Sequence, residues 1–214
     1  MELKKNDRIN LKIESCSSNG SGIGKHNGMA IFVPATAIGD EITAHILKVK
    51  KNYAFAKVEN IITPSKDRIS PECSVYLKCG GCVFSHINYN AEKEIKSNHV
   101  KECFKRIGGI MPEFEEIIGA SSDCRYRNKA QYPVEADGSE IKTGFYSPHS
   151  HRVVHSPDCL LQPPEFEGIL KVFTEYKESF ILRIPSFIGI ISRSIDEVIL
   201  YYQCIKGFLY SQVP

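Results

Sequence analysis

The sequence predicts a mainly β protein that also contains α-helix, an α+β fold in which a small closed barrel comes first. Three observations predict it. Residues 1–63 contain four or five short runs of alternating apolar and polar residues and no helical pattern. Residues 90–107 carry the clearest helical pattern of the chain. Residues 125–155 return to extended runs, with a turn at Asp137 and Gly138. The expected architecture is therefore a barrel followed by a domain with one long helix and β-hairpins.

The composition is that of an ordinary globular protein. Of the 214 residues, 42% are hydrophobic and 24% are charged, which excludes a disordered chain. Residues 1–15 are rich in charge and lack the apolar core of an export signal, so we expect a cytoplasmic protein. The net charge of +2 is too small to indicate a nucleic-acid partner by itself.

The first strand of the barrel is predicted at residues 8–14, where Ile9, Leu11 and Ile13 alternate with polar residues. We interpret the glycine-rich stretch 20–28 that follows as a hairpin turn. Its G-S-G-I-G run opens no helix and is therefore not a dinucleotide-binding fingerprint. Three further strands are predicted at residues 29–34, 42–49 and 53–62. Such a succession of short strands is typical of a barrel of the OB type.

The predicted helix at residues 90–107 begins at Asn90, which caps it, and ends at Gly108 and Gly109. The residues that recur on its apolar face are Ile95, His99, Cys103 and Ile107. We therefore expect Cys103 to be a buried structural thiol. The other isolated cysteines are predicted to be ordinary small residues: Cys16, Cys124 and Cys204.

Four cysteines are candidate metal ligands: Cys73, Cys79 and Cys82 in the sequence CSVYLKCGGC, and Cys159 much further along the chain. A bound cation that neutralises converging thiolates explains them better than a disulfide, since no export signal indicates an oxidising compartment. One hook of three cysteines with a remote fourth favours a [4Fe-4S] cluster, and Gly80 and Gly81 would let the backbone wrap closely around it. A zinc site with His86 as a ligand and a set of unligated thiols remain alternatives.

Basic residues cluster at two places. Lys48, Lys50 and Lys51 surround the predicted turn between two strands of the barrel, where a solvated hairpin end explains them. The second cluster comprises Arg125, Arg127, Asn128, Lys129 and Gln131. On a strand, its alternate members would form a row of charge and amide groups suited to phosphates and base edges. A solvent-facing strand explains the same residues, and the composition does not decide between the two interpretations.

With these motifs the chain resembles the iron-sulfur RNA (uracil-5-)-methyltransferases of the 23S rRNA type. The resemblance covers about residues 5–183 and depends on a TRAM-type barrel, C-x5-C-G-G-C, RYRNKAQYPV, and GFY followed by a last cysteine. It implies that the four cysteines named above hold a [4Fe-4S] cluster with a structural role. It also implies that the barrel and residues 125–131 contact RNA, with rRNA as the expected partner and tRNA as the alternative.

In that family, as the resemblance implies, a C-terminal Rossmann-like domain binds S-adenosylmethionine and methylates C5 of a uracil. The residues after Cys159 are too few for such a domain. We therefore expect a monomeric chain truncated before its catalytic domain, with no catalytic residues of its own and no binding of S-adenosylmethionine. The predicted boundaries are 1–63 for a TRAM domain, 64–183 for an incomplete iron-sulfur domain and 184–214 for an aberrant or unstructured tail, which a frameshift would explain.

Two other functions were weighed against this one. A stand-alone iron-sulfur module that binds RNA without catalysis is the alternative, and whether the chain is itself an enzyme stays open. A methylthiotransferase also combines a TRAM barrel with iron-sulfur chemistry. That class carries its barrel at the C-terminus and requires C-x3-C-x2-C, and this sequence has neither.

Overall fold

The computed structural model describes residues 3–137, 140–156, 158–175, 186–193 and 198–204. The chain forms two compact units. The first comprises Met1–Glu72 and Val83–Gly119, and the second comprises Cys73–Cys82 and Ala120–Pro214. The units therefore interleave along the sequence, whereas we expected a simple boundary at residue 63. Within the described ranges, no helix is both long and apolar enough to span a membrane.

Five strands close the barrel of the first unit: β1 (Arg8–Cys16), β2 (Gly22–His26), β3 (Met29–Val33), β4 (Glu41–Val49) and β5 (Tyr53–Thr63). Their order around the barrel is β1-β2-β3-β5-β4. The β3–β5 pair is parallel and the other pairs are antiparallel. The prediction of a sheet-dominated protein with a closed five-strand barrel is thus confirmed.

Alternation along the strands fills the interior of the barrel. On β1, Leu11 and Ile13 point inward, and Lys12 between them is exposed. The buried cluster consists of Leu11, Ile13, Ile31, Val33, Ile42, Ala44, Ile46, Ala54 and Ala56. Four of the five strands contribute to this cluster, and the short strand β2, which contains two glycines, does not. Burial of these apolar side chains is the main force that holds the barrel closed.

The glycine-rich stretch is a strand, and our prediction of a turn is wrong for most of it. Only Gly20, with φ of 81°, turns the chain before β2 begins. Gly22 and Gly24 lie within β2, where a Cβ on Gly22 would overlap the side chain of Thr36. A Cβ on Gly24 would overlap the carbonyl oxygen of Lys12 on the neighbouring strand. These glycines permit close approach of the backbone, which sequence spacing does not reveal.

One buried carboxylate ties the end of the barrel to the segment that leaves it. Asp40 accepts hydrogen bonds from the backbone N–H groups of Ala37 at 2.7 Å and Ser65 at 2.8 Å. The guanidinium of Arg68 forms an ion pair with the same carboxylate, whose side chain is fully buried. Burial by itself would raise the pKa of Asp40, but the hydrogen bonds from Arg68, Ser65 and Ala37 outweigh it and lower that pKa.

Helix α1 (Tyr89–Cys103) continues into one π-helical turn at Phe104–Gly108 and ends at Gly109, which has φ of 65°. Its cap is Asn88, not Asn90, because the Asn88 side chain accepts a hydrogen bond from the N–H of Ala91 at 2.9 Å.

The predicted apolar face of this helix is buried at its beginning only. Ala91 and Ile95 pack beneath it, whereas Ile107 is 85% exposed. Cys103 is half-buried and lies 3.8 Å from the Nε2 atom of His99, so the expectation of a buried structural thiol is wrong. The repeat of apolar residues predicted the helix, but it did not predict how much of the apolar face is buried.

The second unit is built on a five-stranded sheet with the order β10-β9-β6-β7-β8. Its elements are β6 (Lys129–Asp137), β7 (Glu140–Tyr146), β8 (Val153–His155), α2 (Glu165–Glu175), β9 (Ser186–Arg193) and β10 (Val198–Cys204). All its neighbouring strands are antiparallel. The predicted hairpin at Asp137 is the β6–β7 connection, since Asp137 pairs with Glu140.

Helix α2 supplies the core of this unit and was not predicted. Phe166 and Leu170 on α2 pack against Ala130 and Tyr132 on β6. The i, i+4 spacing of the two α2 residues after a pair of prolines is the signal that could have found it.

The expectation of an unstructured tail at 184–214 is wrong for its described part. Strand β9 pairs with β6 from Lys129 to Glu135, and β10 pairs with β9 along its whole length. Both strands are rich in isoleucine, valine and tyrosine, which favour extended backbone. The rest of the predicted tail lies outside the described residues.

Candidate cysteine centre and nucleic-acid surface

The segment Cys73–Cys82 is a compact turn that brings its first two cysteines close together. The N–H of Tyr76 donates to the carbonyl of Cys73 at 3.1 Å, and the N–H of Cys79 donates to the carbonyl of Val75 at 2.9 Å. Leu77 adopts a left-handed conformation with φ of 66°, which reverses the chain between them. Cys82 follows three residues after Cys79 in the same segment.

Gly80 fastens this segment to the end of β7. Its N–H donates to the carbonyl of Tyr146 at 3.0 Å, and a Cβ at this position would lie only 3.2 Å from that oxygen. Absence of a side chain therefore permits the contact, as the sequence suggested, although neither Gly80 nor Gly81 needs a positive φ. Both glycines, with residues 145–151, line an open cavity of about 550 Å³.

Cys159 lies between β8 and α2, in the same unit as Cys73 and Cys79 and within electrostatic range of both. Burial raises the pKa of the Cys159 thiol, and the nearby thiols of Cys73 and Cys79 raise it further. Three of the four predicted ligands therefore influence one another electrostatically, although they come from two distant stretches of the sequence. All four cysteines are half-buried.

Backbone amides point at two of these sulfur atoms. The N–H of Gly81 donates to Sγ of Cys79 at 3.3 Å. The N–H groups of Leu161 and Gln162 donate to the thiol of Cys159 and oppose the effect of burial on its pKa. Donors of this kind stabilise thiolates and surround the sulfur ligands of iron-sulfur proteins.

Neither the zinc alternative with His86 nor the [4Fe-4S] cluster is matched by a preformed ligand set among the described residues. His86 is 2% exposed and hydrogen-bonds to the backbone of Thr36. Burial lowers the pKa of its imidazole. Across the part of the chain that the structure describes, no group of three or more His, Cys, Asp or Glu side chains is arranged to hold a metal ion. A tetrahedral zinc ion would require its sulfur ligands to be within about 4 Å of one another.

Tyr132 lies beside the cysteine centre and was not predicted as a site residue. Its side chain is 1% exposed, and its hydroxyl finds no hydrogen-bond partner among the described residues. Burial raises the pKa of Tyr132, and the nearby thiol of Cys159 and carboxylate of Asp158 raise it further. A buried hydroxyl without a partner is unusual in a folded protein. The sequence signal that could have identified Tyr132 is its position on the inward face of the strand that follows the RYRN motif.

Arg125 holds the loop that carries Cys159 and does not share a strand face with the other basic residues. Its guanidinium donates to both carboxylate oxygens of Asp158, at 2.6 and 3.1 Å. It also donates to the carbonyl oxygens of Cys159 at 3.2 Å and Gln162 at 3.0 Å. The guanidinium lowers the pKa of Asp158. Because Arg125 has φ of 58° and β6 begins only at Lys129, the predicted row of alternating side chains does not form.

The remaining predicted RNA-binding residues of this region are exposed: Arg127, Asn128, Lys129 and Gln131. Tyr126, among them in sequence, is 58% exposed. The backbone of Arg127 is fixed by a hydrogen bond to the carbonyl of Leu161 at 3.0 Å, which leaves its side chain at the surface. This group therefore offers positive charge, amides and an aromatic ring to a partner.

The lysines of the barrel are exposed around the β4–β5 turn, as predicted. Lys48 ends the regular part of β4, and Lys50 donates its N–H to the carbonyl of Tyr53 at 2.8 Å. No carboxylate among the described side chains forms an ion pair with Lys48, Lys50 or Lys51. Their charges are therefore available to an anionic partner.

Comparison with known proteins extends the description of both units. Residues 2–58 match the TRAM domain, which corresponds to the barrel. An uncharacterized RNA methyltransferase of Clostridium tetani is 41% identical over 178 residues, which cover 83% of this chain and 39% of that protein. An uncharacterized RNA methyltransferase of Listeria monocytogenes serotype 4b is 45% identical over 159 residues, which cover 74% of this chain and 35% of that protein.

A solved structure shows the same fold. It is the crystal structure of Pyrococcus abyssi tRNA (uracil-54, C5)-methyltransferase in complex with S-adenosyl-L-homocysteine, with a TM-score of 0.62 and 20% sequence identity. The match covers 92% of this chain and 46% of that protein. The chain spans less than two fifths of the length of the two bacterial relatives above. Over most of its residues, the chain is therefore a homologue of RNA methyltransferases and carries a TRAM domain.

Proposed function

We propose that this chain is the RNA-recognising portion of an S-adenosylmethionine-dependent RNA (uracil-5-)-methyltransferase, and that it carries a [4Fe-4S] cluster. The observation that supports the proposal is the electrostatic interaction of the Cys73, Cys79 and Cys159 thiols in a homologue of RNA methyltransferases. The substrate we propose is a uridine of rRNA. A tRNA uridine is the alternative, because the protein of similar fold is named for that activity.

The chemistry of the cysteine centre fits an iron-sulfur cluster. Three converging thiolates would repel one another unless a cation neutralised them, and thiolates are the ligands that such clusters require. Cys73, Cys79, Cys82 and Cys159 would hold the cluster. When bound, it would link the segment Cys73–Cys82 to the loop before α2 and thereby stabilise the second unit.

The polar groups around the centre suit a charged cluster. The N–H groups of Gly81, Leu161 and Gln162 already donate to the cysteine sulfurs. The hydroxyl of Tyr132 adds a further donor beside Cys159, so the bound group would give this buried hydroxyl a partner. Arg125 positions the Cys159 loop through its four hydrogen bonds and so acts on the cluster indirectly.

RNA recognition is assigned to two exposed surfaces. Arg127, Lys129 and the amides beside them form one of them, and the lysines of the β4–β5 turn form the other. Lysine and arginine contacts to phosphates supply most of the affinity for RNA and make it fall with salt. Methylation of a uracil ring requires the base to leave its stack, which is the reason for binding modules beside a catalytic one. Methyl transfer itself we assign to the part of the relatives that this chain does not span.

The cluster is tested by purifying the chain without oxygen and measuring iron, sulfide and visible absorption. We expect about four irons per chain, the number in a [4Fe-4S] cluster, and a brown colour that Cys79→Ser removes. Cys103→Ser is the matched control, because Cys103 is also half-buried but lies in the first unit, and it should retain the iron. A colourless protein that contains zinc would contradict the proposal.

The second candidate function is a stand-alone iron-sulfur module that binds RNA without catalysis. Binding of S-adenosylhomocysteine does not separate the two functions, because both predict none to this chain alone. Restoration of methylation by the missing portion of a relative, supplied as a separate polypeptide, would support the methyltransferase, and the same mixture without methylation would favour the stand-alone module.

A further inference from the structure

Three aromatic rings form a continuous patch on the outside of the barrel. The ring centroids of Phe32 and Tyr53 are 5.8 Å apart, those of Phe32 and Phe55 are also 5.8 Å apart, and those of Tyr53 and Phe55 are 5.4 Å apart. Tyr53 is 38% exposed and Phe55 is 41% exposed, and Phe32 is half-buried beside them. Large aromatic side chains normally contribute to a core, so a cluster of three at the surface needs an explanation.

The barrel does not need these rings for its own core. On β5, Ala54 and Ala56 point inward and are at most 1% exposed, while Tyr53 and Phe55 alternate with them on the outer face. Phe32 pairs with Phe55 in the parallel β3–β5 ladder, so both lie on the same side of the sheet. The outer rings therefore pack on one another and on the sheet, with their free faces toward solvent.

Lysines border this patch. Lys48 is directly opposite Phe55 in the β4–β5 ladder, which places both on the outer face. Lys50 and Lys51 lie in the turn that leads into Tyr53. As described above, none of the three forms an ion pair with a described carboxylate. The surface thus combines an aromatic platform with an uncompensated positive rim.

We propose that this aromatic–lysine face, made of Phe32, Tyr53, Phe55, Lys48, Lys50 and Lys51, binds single-stranded RNA by stacking unpaired bases on the rings. The lysines would hold the phosphates on either side. The inference rests on the proposed RNA-binding function and adds both the form of RNA and the residues that recognise it. Stacking on rings next to a basic groove is how OB-type barrels bind single strands without reading their sequence.

The charge of the rim favours RNA over a protein partner. Protein interfaces are depleted in lysine, whereas contacts to nucleic-acid backbones are made mainly by lysine and arginine. A duplex would bury its bases away from the rings, so stacking requires unpaired bases. We therefore expect the face to prefer a flexible single strand to a duplex of the same sequence.

The test uses the full chain and fluorescence anisotropy with a labelled oligouridine of about 12 nucleotides, within the range that an OB fold contacts. A strand of the same length that lacks bases measures the phosphate contribution alone. The variant Tyr53→Ala with Phe55→Ala should bind the oligouridine at least about tenfold more weakly, since each stacked base contributes about 1–3 kcal/mol. Its affinity for the strand without bases should be unchanged.

Two comparisons isolate the stacking. Phe104→Ala is the matched control, because Phe104 is also 41% exposed and packs edge-on against another ring, at 5.6 Å from Phe114, but lies outside the barrel. It should bind both strands like the natural chain. Lys50→Gln with Lys51→Gln should weaken both strands alike and reduce the salt slope by about 1.4, at about 0.7 for each phosphate contact to a single strand.

The outcomes separate this inference from the proposed function. Natural protein that binds neither oligouridine nor the strand without bases would overturn both. Binding that Tyr53→Ala with Phe55→Ala leaves intact, or weakens equally for the two strands, would overturn stacking on this face and leave RNA binding by the chain in place. Circular dichroism of the double variant should match the natural chain, because the altered rings lie outside the core.

Discussion

The Asp40 carboxylate of the first unit and the Tyr132 hydroxyl of the second unit are both buried, but only the carboxylate has hydrogen-bond partners among the described residues. In the barrel unit, the buried carboxylate of Asp40 has hydrogen bonds from two backbone N–H groups and from the guanidinium of Arg68. In the second unit, buried polar atoms of Tyr132, Thr143 and Gln162 have no partner among the described residues. The barrel also buries nine apolar residues together, whereas the main described cluster of the second unit contains four.

The hydroxyl of Tyr132 is the member of this pair that needs a physical explanation. Unsatisfied polar atoms in a folded interior each cost about 1–3 kcal/mol, so an arrangement that retains them is expected to have another use. In the second unit the hydroxyl of Tyr132 lies next to converging thiols, which is where the proposed cluster would bind. If the proposed cluster binds there, it would give the Tyr132 hydroxyl a partner.

Removal of the carboxylate of Asp40 should have the largest effect on stability. Asp40→Ala leaves the guanidinium of Arg68, which is only 18% exposed, without its counter-ion. Breaking a buried pair in this way costs about 3 kcal/mol or more. Urea denaturation and hydrogen exchange of the barrel strands should register that loss. The control is Glu59→Ala, which removes an exposed ion pair with Arg8 and should cost less than about 1 kcal/mol. Equal losses in the two variants would contradict the role we assign to Asp40.

The same carboxylate makes the barrel sensitive to acid. Because folding lowers the pKa of Asp40 below its ordinary value of 3.8, the unfolded chain takes up this proton first as the pH falls. The stabilisation is therefore fully present above the unfolded pKa and is lost as the pH falls through the lower folded pKa. We expect the melting temperature of the barrel to decrease once the pH is lower than about 4. This dependence should be weaker in Asp40→Ala, and an identical acid profile for the two proteins would argue against it.

How far the sequence predicts the structure also differs between the units. Alternation of apolar residues located four barrel strands, because one face of each strand is buried and the other is not. The strand with Gly22 and Gly24 was missed, since its signal is the closeness of neighbouring backbones and not a side-chain pattern. Asn88 was missed as the cap because Asn90, two residues later, offers the same chemistry.

In the second unit, spacing grouped Cys73, Cys79 and Cys82, with Cys159 as a remote fourth candidate, but did not show what surrounds them. The role of Arg125 was misjudged, since a basic residue beside a predicted strand resembles an RNA contact until its distant partner Asp158 is known. Strand β9 was missed because its pairing with β6 joins residues far apart in the sequence.

Replacing Arg125 and Arg127 by alanine, one at a time, should separate effects on stability from effects on RNA binding within the second unit. Arg125→Ala removes four hydrogen bonds from the loop of Cys159, so we expect a loss of about 1–2 kcal/mol and faster loss of iron. Arg127→Ala removes an exposed charge and should weaken RNA binding without affecting iron retention. Iron release to a chelator and anisotropy with labelled RNA measure the two effects. If Arg125→Ala weakened RNA binding but retained its iron normally, Arg125 would be an RNA contact as the sequence suggested.

Tyr132→Phe should have the smallest effect and provides the sharpest test of the comparison. In protein free of iron, the substitution removes a buried hydroxyl that has no partner, so stability should be unchanged or higher by about 1 kcal/mol. In protein with the cluster, it would remove a donor beside the Cys159 thiolate. Donors to cluster sulfurs favour the reduced, more negative state, so the reduction potential should fall. A purely structural tyrosine would leave the potential unchanged and would destabilise both forms alike when its hydroxyl is removed. Only a hydroxyl directed at a bound group would make the stability change of Tyr132→Phe opposite in sign between the protein without iron and the protein with the cluster.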